Sequence, residues 1–346
     1  MGQIRTLVVD DSDFARELIV AILSTDREIT IVGQAKNGQE AVEKVRDLKP
    51  DIVTMDIEMP VMNGLEAIEH IMAANAVPIL VVTTRSDANT AYAAISKGAL
   101  DLVVKPDVNL EGAREFIQKI KLLSKIKVIT HINGKRAIRE TKVIKPPVFS
   151  GTTSDRVVAI ASSTGGPEAL SVVLSGLPET FPCPIVIAQH NSDGFIPGLV
   201  EWLKRVSKMK VKVAQELETI VPGTAYVSPS EKHMEITAGK KIAFKDRHPS
   251  DIYRPSCDML LSSVALAYKA KGIGIILTGM GSDGARGMKQ IREWGGTTIA
   301  QDEKTCIVFG MPKVAIESGC IDKIVPLDEM SGKIISLVAG SAVYNI

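Results

Sequence analysis

Residues 4–23 read IRTLVVDDSDFARELIVAIL, and two periodicities meet inside them. Ile4 to Val9 is a short apolar run rich in β-branched residues, the mark of a strand covered on both faces. Asp10 and Asp11 stop the run. From Asp13 onward the apolar residues fall at helical spacing, with Phe14, Leu18, Ile22 and Leu23 on one face. This is a strand running straight into a helix. The same alternation recurs at ITIVGQA (29–35), DIVTMDI (51–57), VPILVVT (77–83) and LDLVVK (100–105). Helical stretches separate them, as in 40–49, where Ala41, Val45 and Leu48 align. Asp13 and Asn63-Gly64 mark helix starts. Residues 1–125 are therefore expected to form an α/β domain around a five-stranded parallel sheet.

Beyond it the composition changes. Residues 126–152 carry six Lys/Arg against one Glu and contain Pro146-Pro147, a linker by composition. A second α/β domain is expected over 153–346. Its strands are RVVAIAS (156–162), CPIVIAQ (183–189), TAYVS (224–228), HMEIT (233–237), KIAFK (241–245), GIGIILT (272–278) and TTIAQ (297–301). Helices are expected at 166–176, 195–206, 256–270, 284–294 and 328–339. Ala238-Gly239-Lys240 between two of the strands predicts a β-hairpin.

Composition narrows the function classes. Lys+Arg 41 against Asp+Glu 40 leaves a net charge of +1, and aromatics are 4% of the chain. Neither suits a nucleic-acid binder. Cys183, Cys257, Cys306 and Cys320 include no C-x-x-C pair, so they read as reduced thiols of a cytoplasmic protein. No apolar run has the roughly 18 residues of a membrane span, and the two aspartates interrupt any secretory core at the start.

Two constellations carry chemistry. In the first domain the strand ends bring together Asp10, Asp11, Asp56, Thr83 and Lys105. Three crowded carboxylates repel one another without a cation, and hard oxygens suit Mg²⁺. A carboxylate beside Mg²⁺ is a candidate phosphoryl acceptor; a lysine and a hydroxyl would contact the transferred group. In the second domain, strand ends run into Ser163-Thr164-Gly165-Gly166, into His190 and into Gly279-Met280-Gly281-Ser282-Asp283-Gly284. If those strands are neighbours, Ser163, His190 and Asp283 share one edge in the roles of nucleophile, base and orienting acid. Gly165 and its neighbours would let backbone N–H groups approach a developing oxyanion. Ser162 is a rival nucleophile that strand alternation turns away, and His233 and His248 are rival bases. Residues 279–284 also match G-x-G-x-x-G after a strand, with Asp302 about 20 residues on, so an NAD(P)-binding reading stays open on pattern.

The longer motifs carry a resemblance. Asp10-Asp11, MDIEMPVMNG (55–64), Thr83 and Lys105-Pro106 resemble the receiver domain of two-component response regulators, a flavodoxin-like fold. SSTGGPEAL (162–170), AQH (188–190), AYVSPSEKHM (225–234), RPSCDML (254–260), ILTGMGSDGARGM (276–288) and AQDEKTCIVFGMP (300–312) resemble the Rossmann-like catalytic domain of CheB-type protein-glutamate methylesterases. The resemblance implies phosphorylation at Asp56. It places Mg²⁺ on Asp11, Asp56 and the Glu58 carbonyl, with Asp10 helping, and makes the Lys105–Pro106 bond cis. It implies hydrolysis of γ-glutamyl methyl esters on chemoreceptor cytoplasmic helices by Ser163, His190 and Asp283, with glutamine deamidation as a second activity. Thr164 lies beside that triad, and the Met280 N–H is an oxyanion-hole candidate. The histidine kinase CheA would be the phosphodonor, the unphosphorylated receiver would restrain the esterase, and the catalytic domain would need no metal. Four positions depart from the family pattern: Leu102 where many receivers have an aromatic, Asn191 for Met, and Ala161-Ser162 for Gly-Ala. A non-catalytic signalling adaptor is the remaining alternative.

Overall fold

The computed structural model describes residues 3–84, 88–106, 110–128, 154–248, 251 and 253–339. Most of the expected linker lies outside them. The chain divides into two compact units, Met1–Glu140 and Thr141–Ile346.

In the first unit the elements alternate: β1 (Ile4–Val9), α1 (Asp13–Leu23), β2 (Ile29–Ala35), α2 (Gly38–Leu48), β3 (Ile52–Met55), α3 (Gly64–Ala74), β4 (Ile79–Thr83), α4 (Ala88–Ser96), β5 (Asp101–Val104) and α5 (Leu110–Leu123). The strands form one parallel sheet in the order β2-β1-β3-β4-β5. Strand order reverses at β1, so Asp10 and Asp11 leave the sheet at its switch point. β3 and β4 are buried along their whole length, which explains their unbroken apolar reading. Ser12, Asn37 and Asn63 cap α1, α2 and α3 by accepting from the N–H three residues on. The cap of α1 is thus Ser12, one residue before the expected Asp13.

The expected apolar face of α1 is partly wrong. The helix buries Arg16, Ile19, Ile22 and Leu23, while Phe14 is 75% exposed. The Arg16 guanidinium donates to the Asp10 carbonyl at 2.8 Å and to Gln34 Oε1 at 3.1 Å. That inward reach turns the helix and leaves Phe14 in solvent.

The second unit runs β6 (Val157–Ser162), α6 (Gly166–Ser175), β7 (Ile185–Gln189), α7 (Ile196–Val206), β8 (Lys210–Val213), β9 (Thr224–Val227), β10 (Lys232–Ile236), β11 (Ile242–Asp246), α8 (Cys257–Tyr268), β12 (Gly272–Ile276), α9 (Ala285–Glu293), β13 (Thr297–Gln301), α10 (Met311–Glu317), β14 (Lys323–Val325) and α11 (Leu327–Ala339). Seven strands form a parallel sheet in the order β14-β13-β12-β6-β7-β9-β8. β10 and β11 make the expected antiparallel hairpin, pairing Ile236 with Ile242. Every residue of β6, β7 and β12 is buried. Each Val or Ile buried there contributes about 1.5–3 kcal/mol. The chain leaves central β6 for β7 on one side and returns to β12 on the other. The carboxyl end of β6 is therefore the switch point of this sheet.

Candidate active sites

Register does the first part of the assembly in the second unit. Ser162 of β6 pairs with Gln189 of β7, so Ser163 and His190 follow as the next opposed residues. The His190 N–H donates to the Ser162 carbonyl at 3.0 Å, and the Ser163 N–H donates to the Thr278 carbonyl at 3.0 Å. Gln189 stitches the strand ends together: its amide donates to the Ser163 and His190 carbonyls, and its Oε1 accepts from Ser162 Oγ at 2.6 Å. Ser162 is fully buried in that bond and is no rival nucleophile. Ser163 is only partly buried.

His190 Nε2 lies 2.8 Å from Asp283 Oδ2. Asp283 is 3% exposed yet well satisfied. It sits on the N-terminus of α8, taking the Cys257 N–H at 2.6 Å, the Asp258 N–H at 2.9 Å and the Ser256 hydroxyl at 3.3 Å. Burial alone would raise its carboxyl pKa, but the bonds from His190 and these amides outweigh it and hold the group below the ordinary carboxylate range. Nε2 is turned to Asp283, and no hydrogen bond joins Ser163 Oγ to His190 among the described residues; Nδ1 is the ring nitrogen not committed to Asp283.

The exchange between α8 and α9 is reciprocal. Asp258, in the first turn of α8, accepts from the Gly284 N–H at 2.9 Å and the Gly287 N–H at 2.8 Å, both at the start of α9. Each helix start holds a carboxylate supplied from the start of the other. This also counts against the dinucleotide reading. The Gly284 N–H at the start of α9 is already taken by Asp258, the buried Asp283 carboxylate stands in the same loop, and Asp302 commits its Oδ1 to the Thr305 N–H and hydroxyl. Gly279 is needed for close approach: a Cβ there would stand 2.7 Å from Ser163 Cβ and 2.4 Å from Met311 Sδ.

Thr164 is buried beside Ser163, its carbonyl bonded by the Thr278 hydroxyl at 2.9 Å. Gly165 caps α6 with a left-handed φ of 76°. The Met280 N–H makes no hydrogen bond among the described residues. Asn191 donates its main-chain N–H to the Arg254 carbonyl at 2.9 Å, so the departure from Met leaves a residue tied into the wall of the site. His233 is no rival base: it is buried and bonded through both ring nitrogens, to Asp251 and to the Ser256 N–H. His248 lies past the hairpin, its main-chain N–H donating to Asp251. Cys257 and Tyr253 were not singled out from the sequence. Cys257 Sγ is 3.4 Å from His190 Nε2, and the Tyr253 ring stacks on the imidazole. Burial, reinforced by the Asp283 charge, pushes that thiol well above its ordinary pKa, so it remains protonated.

In the first unit the acidic edge assembles as expected. One ligand oxygen from each of Asp10, Asp11 and Asp56 lies within 4.8 Å of the others. Lys105 Nζ stands 2.8 Å from Asp10 Oδ2 and 2.8 Å from Asp56 Oδ2. Burial drives the Asp56 carboxyl up to about 6 against the pull of that ammonium, and the Asp10 charge adds to the rise. The Thr83 hydroxyl is buried and has no hydrogen-bond partner among the described residues. Glu58 is exposed just past β3. Crowded hard oxygens with a raised carboxyl pKa fit a divalent cation such as Mg²⁺. Leu102 is buried in β5 as a core residue. The expectation of a cis Lys105–Pro106 bond is corrected: among the described residues the cis peptide is Arg254–Pro255. The trans form is favoured by about 0.5–1 kcal/mol, and Lys105 reaches both carboxylates from it.

Comparison with known proteins follows the same division. The CheB methylesterase family matches residues 158–334, and the response regulator receiver domain matches residues 6–121. A protein-glutamate methylesterase/protein-glutamine glutaminase 3 from Paramagnetospirillum magneticum is 45% identical across 98% of each chain. A protein-glutamate methylesterase/protein-glutamine glutaminase from Thermotoga maritima is 38% identical across 97% of this chain and 98% of its own. The crystal structure of the Thermotoga maritima CheB methylesterase catalytic domain is 40% identical. It superposes with a TM-score of 0.51 over 54% of this chain and 100% of that one.

Proposed function

Because the chain belongs to the CheB methylesterase family and carries a receiver domain, we propose that it is a phosphorylation-controlled protein-glutamate methylesterase. Its substrates are γ-glutamyl methyl esters on the cytoplasmic helices of chemoreceptors, and side-chain amides of glutamine form a second class. The receiver spans 1–125, the linker 126–152 and the esterase 153–346. The observation that carries the reading is the 2.8 Å contact of His190 with Asp283, one register step from Ser163.

Ser163 Oγ attacks the ester carbonyl while His190 Nδ1 takes its proton. Asp283 fixes the imidazole through Nε2–H and stabilises the imidazolium. The negative oxygen of the tetrahedral intermediate is met by backbone N–H groups around Met280, Thr164 and Gly165. Collapse breaks the C–O bond to the methoxy group, which leaves as methanol with the proton held by His190. Water, deprotonated by His190, then releases glutamate and restores Ser163. With a glutamine amide the leaving group is ammonia.

Asp56 accepts a phosphoryl group from the histidine kinase CheA. Asp10, Asp11, Asp56 and the Glu58 carbonyl would hold Mg²⁺, which supplies neutralising charge for the transferred group. Lys105 and Thr83 contact that group, and its arrival biases a two-state restraint of the esterase by the receiver. The protein works in the cytoplasm; none of its described helices is long and apolar enough to cross a membrane. The test is methanol release from methylated receptor fragments, with and without Mg²⁺ and a small phosphodonor, with Ser163→Ala as the blank. Release that persists in the blank defeats the serine mechanism.

A further inference from the structure

Asp251 and residues 253–256 make a strap beside the site, and its attachments converge on one histidine. Tyr253 lays its ring on the His190 imidazole, with centroids 5.1 Å apart and planes at 14°. The Arg254 carbonyl takes the N–H of Asn191, next to His190, at 2.9 Å. Ser256 caps α8 and reaches Asp283 Oδ1 with its hydroxyl at 3.3 Å. On the far side the strap is held by His233 of β10. Its Nδ1 accepts the Ser256 N–H at 2.9 Å, and its Nε2 bonds Asp251 Oδ2 at 2.9 Å. His233 is 2% exposed, and this pairing fixes its tautomer, with the proton on Nε2. Gly281 admits the strap: at φ 91°, a Cβ there would lie 2.8 Å from Tyr253 Oη.

We propose that His233 is a positioning residue for the ester hydrolysis. It anchors the strap and the cap of α8, and through them sets the plane of His190 and the seat of Asp283. It touches no substrate. Asp283 owes two of its partners to the first two amides of α8, and those amides follow the Ser256 N–H that His233 holds. Loss of the Nδ1 acceptor would free that N–H in a buried place and let the helix start drift. A base displaced by a fraction of an ångström loses rate while ester binding, made elsewhere, is kept.

The inference rests on the serine-esterase reading, and the experiment separates the two. Full-length protein is assayed for methanol release and for labelling of Ser163 by a fluorophosphonate, as wild type, Ser163→Ala, His233→Leu and His233→Asn. Asparagine places an oxygen acceptor near the position of Nδ1; leucine fills the space without one. Expected for His233→Leu is a fall in kcat and in labelling rate of about ten-fold or more, with KM within about two-fold. His233→Asn is expected to recover most of both rates. Wild-type rates in His233→Leu, or equal losses in the two variants, overturn the proposal. Wild type that neither labels nor hydrolyses overturns the esterase reading and this inference with it.

Discussion

Replacing Asp56 with asparagine should stabilise the receiver, and only above a definite pH. The carboxyl is 3% exposed, and burial raises its pKa from 3.8 to about 6 in the folded state. Between those values the folded chain holds a proton that the unfolded chain has lost. The stability contributed by this proton is complete below pH 4, drains away as pH rises through 6, and is absent at pH 8. A rise of that size corresponds to about 2–3 kcal/mol once partial solvent access is allowed for. Asparagine keeps the shape and removes the charge, and Lys105 still has Asp10 at 2.8 Å. Both tryptophans, Trp202 and Trp294, lie in the second unit, so amide hydrogen exchange on the full chain is the suitable reporter. In metal-free buffer at pH 8, core amides of β1, β3 and β4 in Asp56→Asn should exchange roughly 30- to 150-fold more slowly than in wild type. At pH 4 the two proteins should be nearly alike. A ratio that stays constant from pH 4 to pH 8 would refute a buried carboxylate as the source.

The same Asp56→Asn protein should keep basal methanol release and lose its acceleration by Mg²⁺ plus a phosphodonor; undiminished acceleration would remove Asp56 as the acceptor. Ser163→Ala should abolish fluorophosphonate labelling with an unchanged melting temperature. Ser162→Ala should retain labelling but lose about 1–3 kcal/mol by stranding Gln189 Oε1 in the interior, seen in denaturant unfolding. Gly279→Ala presses a methyl group against Met311 and Ser163, and should cost about 1–3 kcal/mol and most of the esterase rate. Wild-type turnover in that variant would mean that the loop yields without disturbing Ser163.

What the sequence made legible was whatever repeats or ends abruptly. Buried parallel strands read as unbroken apolar runs, and their carboxyl ends delivered Asp10, Asp56, Ser163 and His190 to the two edges. The hairpin announced itself through Ala238-Gly239-Lys240. β8 escaped notice because KVKV alternates at a sheet edge, and β14 because three residues carry no period. The seven residues of α10 are likewise too few to display a face. Phe14 misled because apolar spacing alone cannot register the pull of a buried arginine. Around the catalytic groups, Cys257, Tyr253 and Asp258 stayed hidden, since each acts through tertiary neighbours more than 20 residues away. His233 was visible only as a histidine of uncertain purpose, because a tautomer is fixed by partners that the linear pattern does not pair.

The crossed carboxylates at the starts of α8 and α9 bear on how this enzyme tolerates mutation. In the proposed mechanism Asp283 is the acid behind the histidine, and in the fold it satisfies the first amides of α8. Asp258 repays the same service to the neighbouring helix. A library of variants sorted only for soluble, folded protein, with no ester ever supplied, should therefore be depleted of changes at Asp283 while still admitting Ser163→Ala. One member of the proposed catalytic set is then defended by folding itself, and another by chemistry alone. Lineages that abandon the reaction should shed the serine first and keep the aspartate long after its imidazole partner has stopped working.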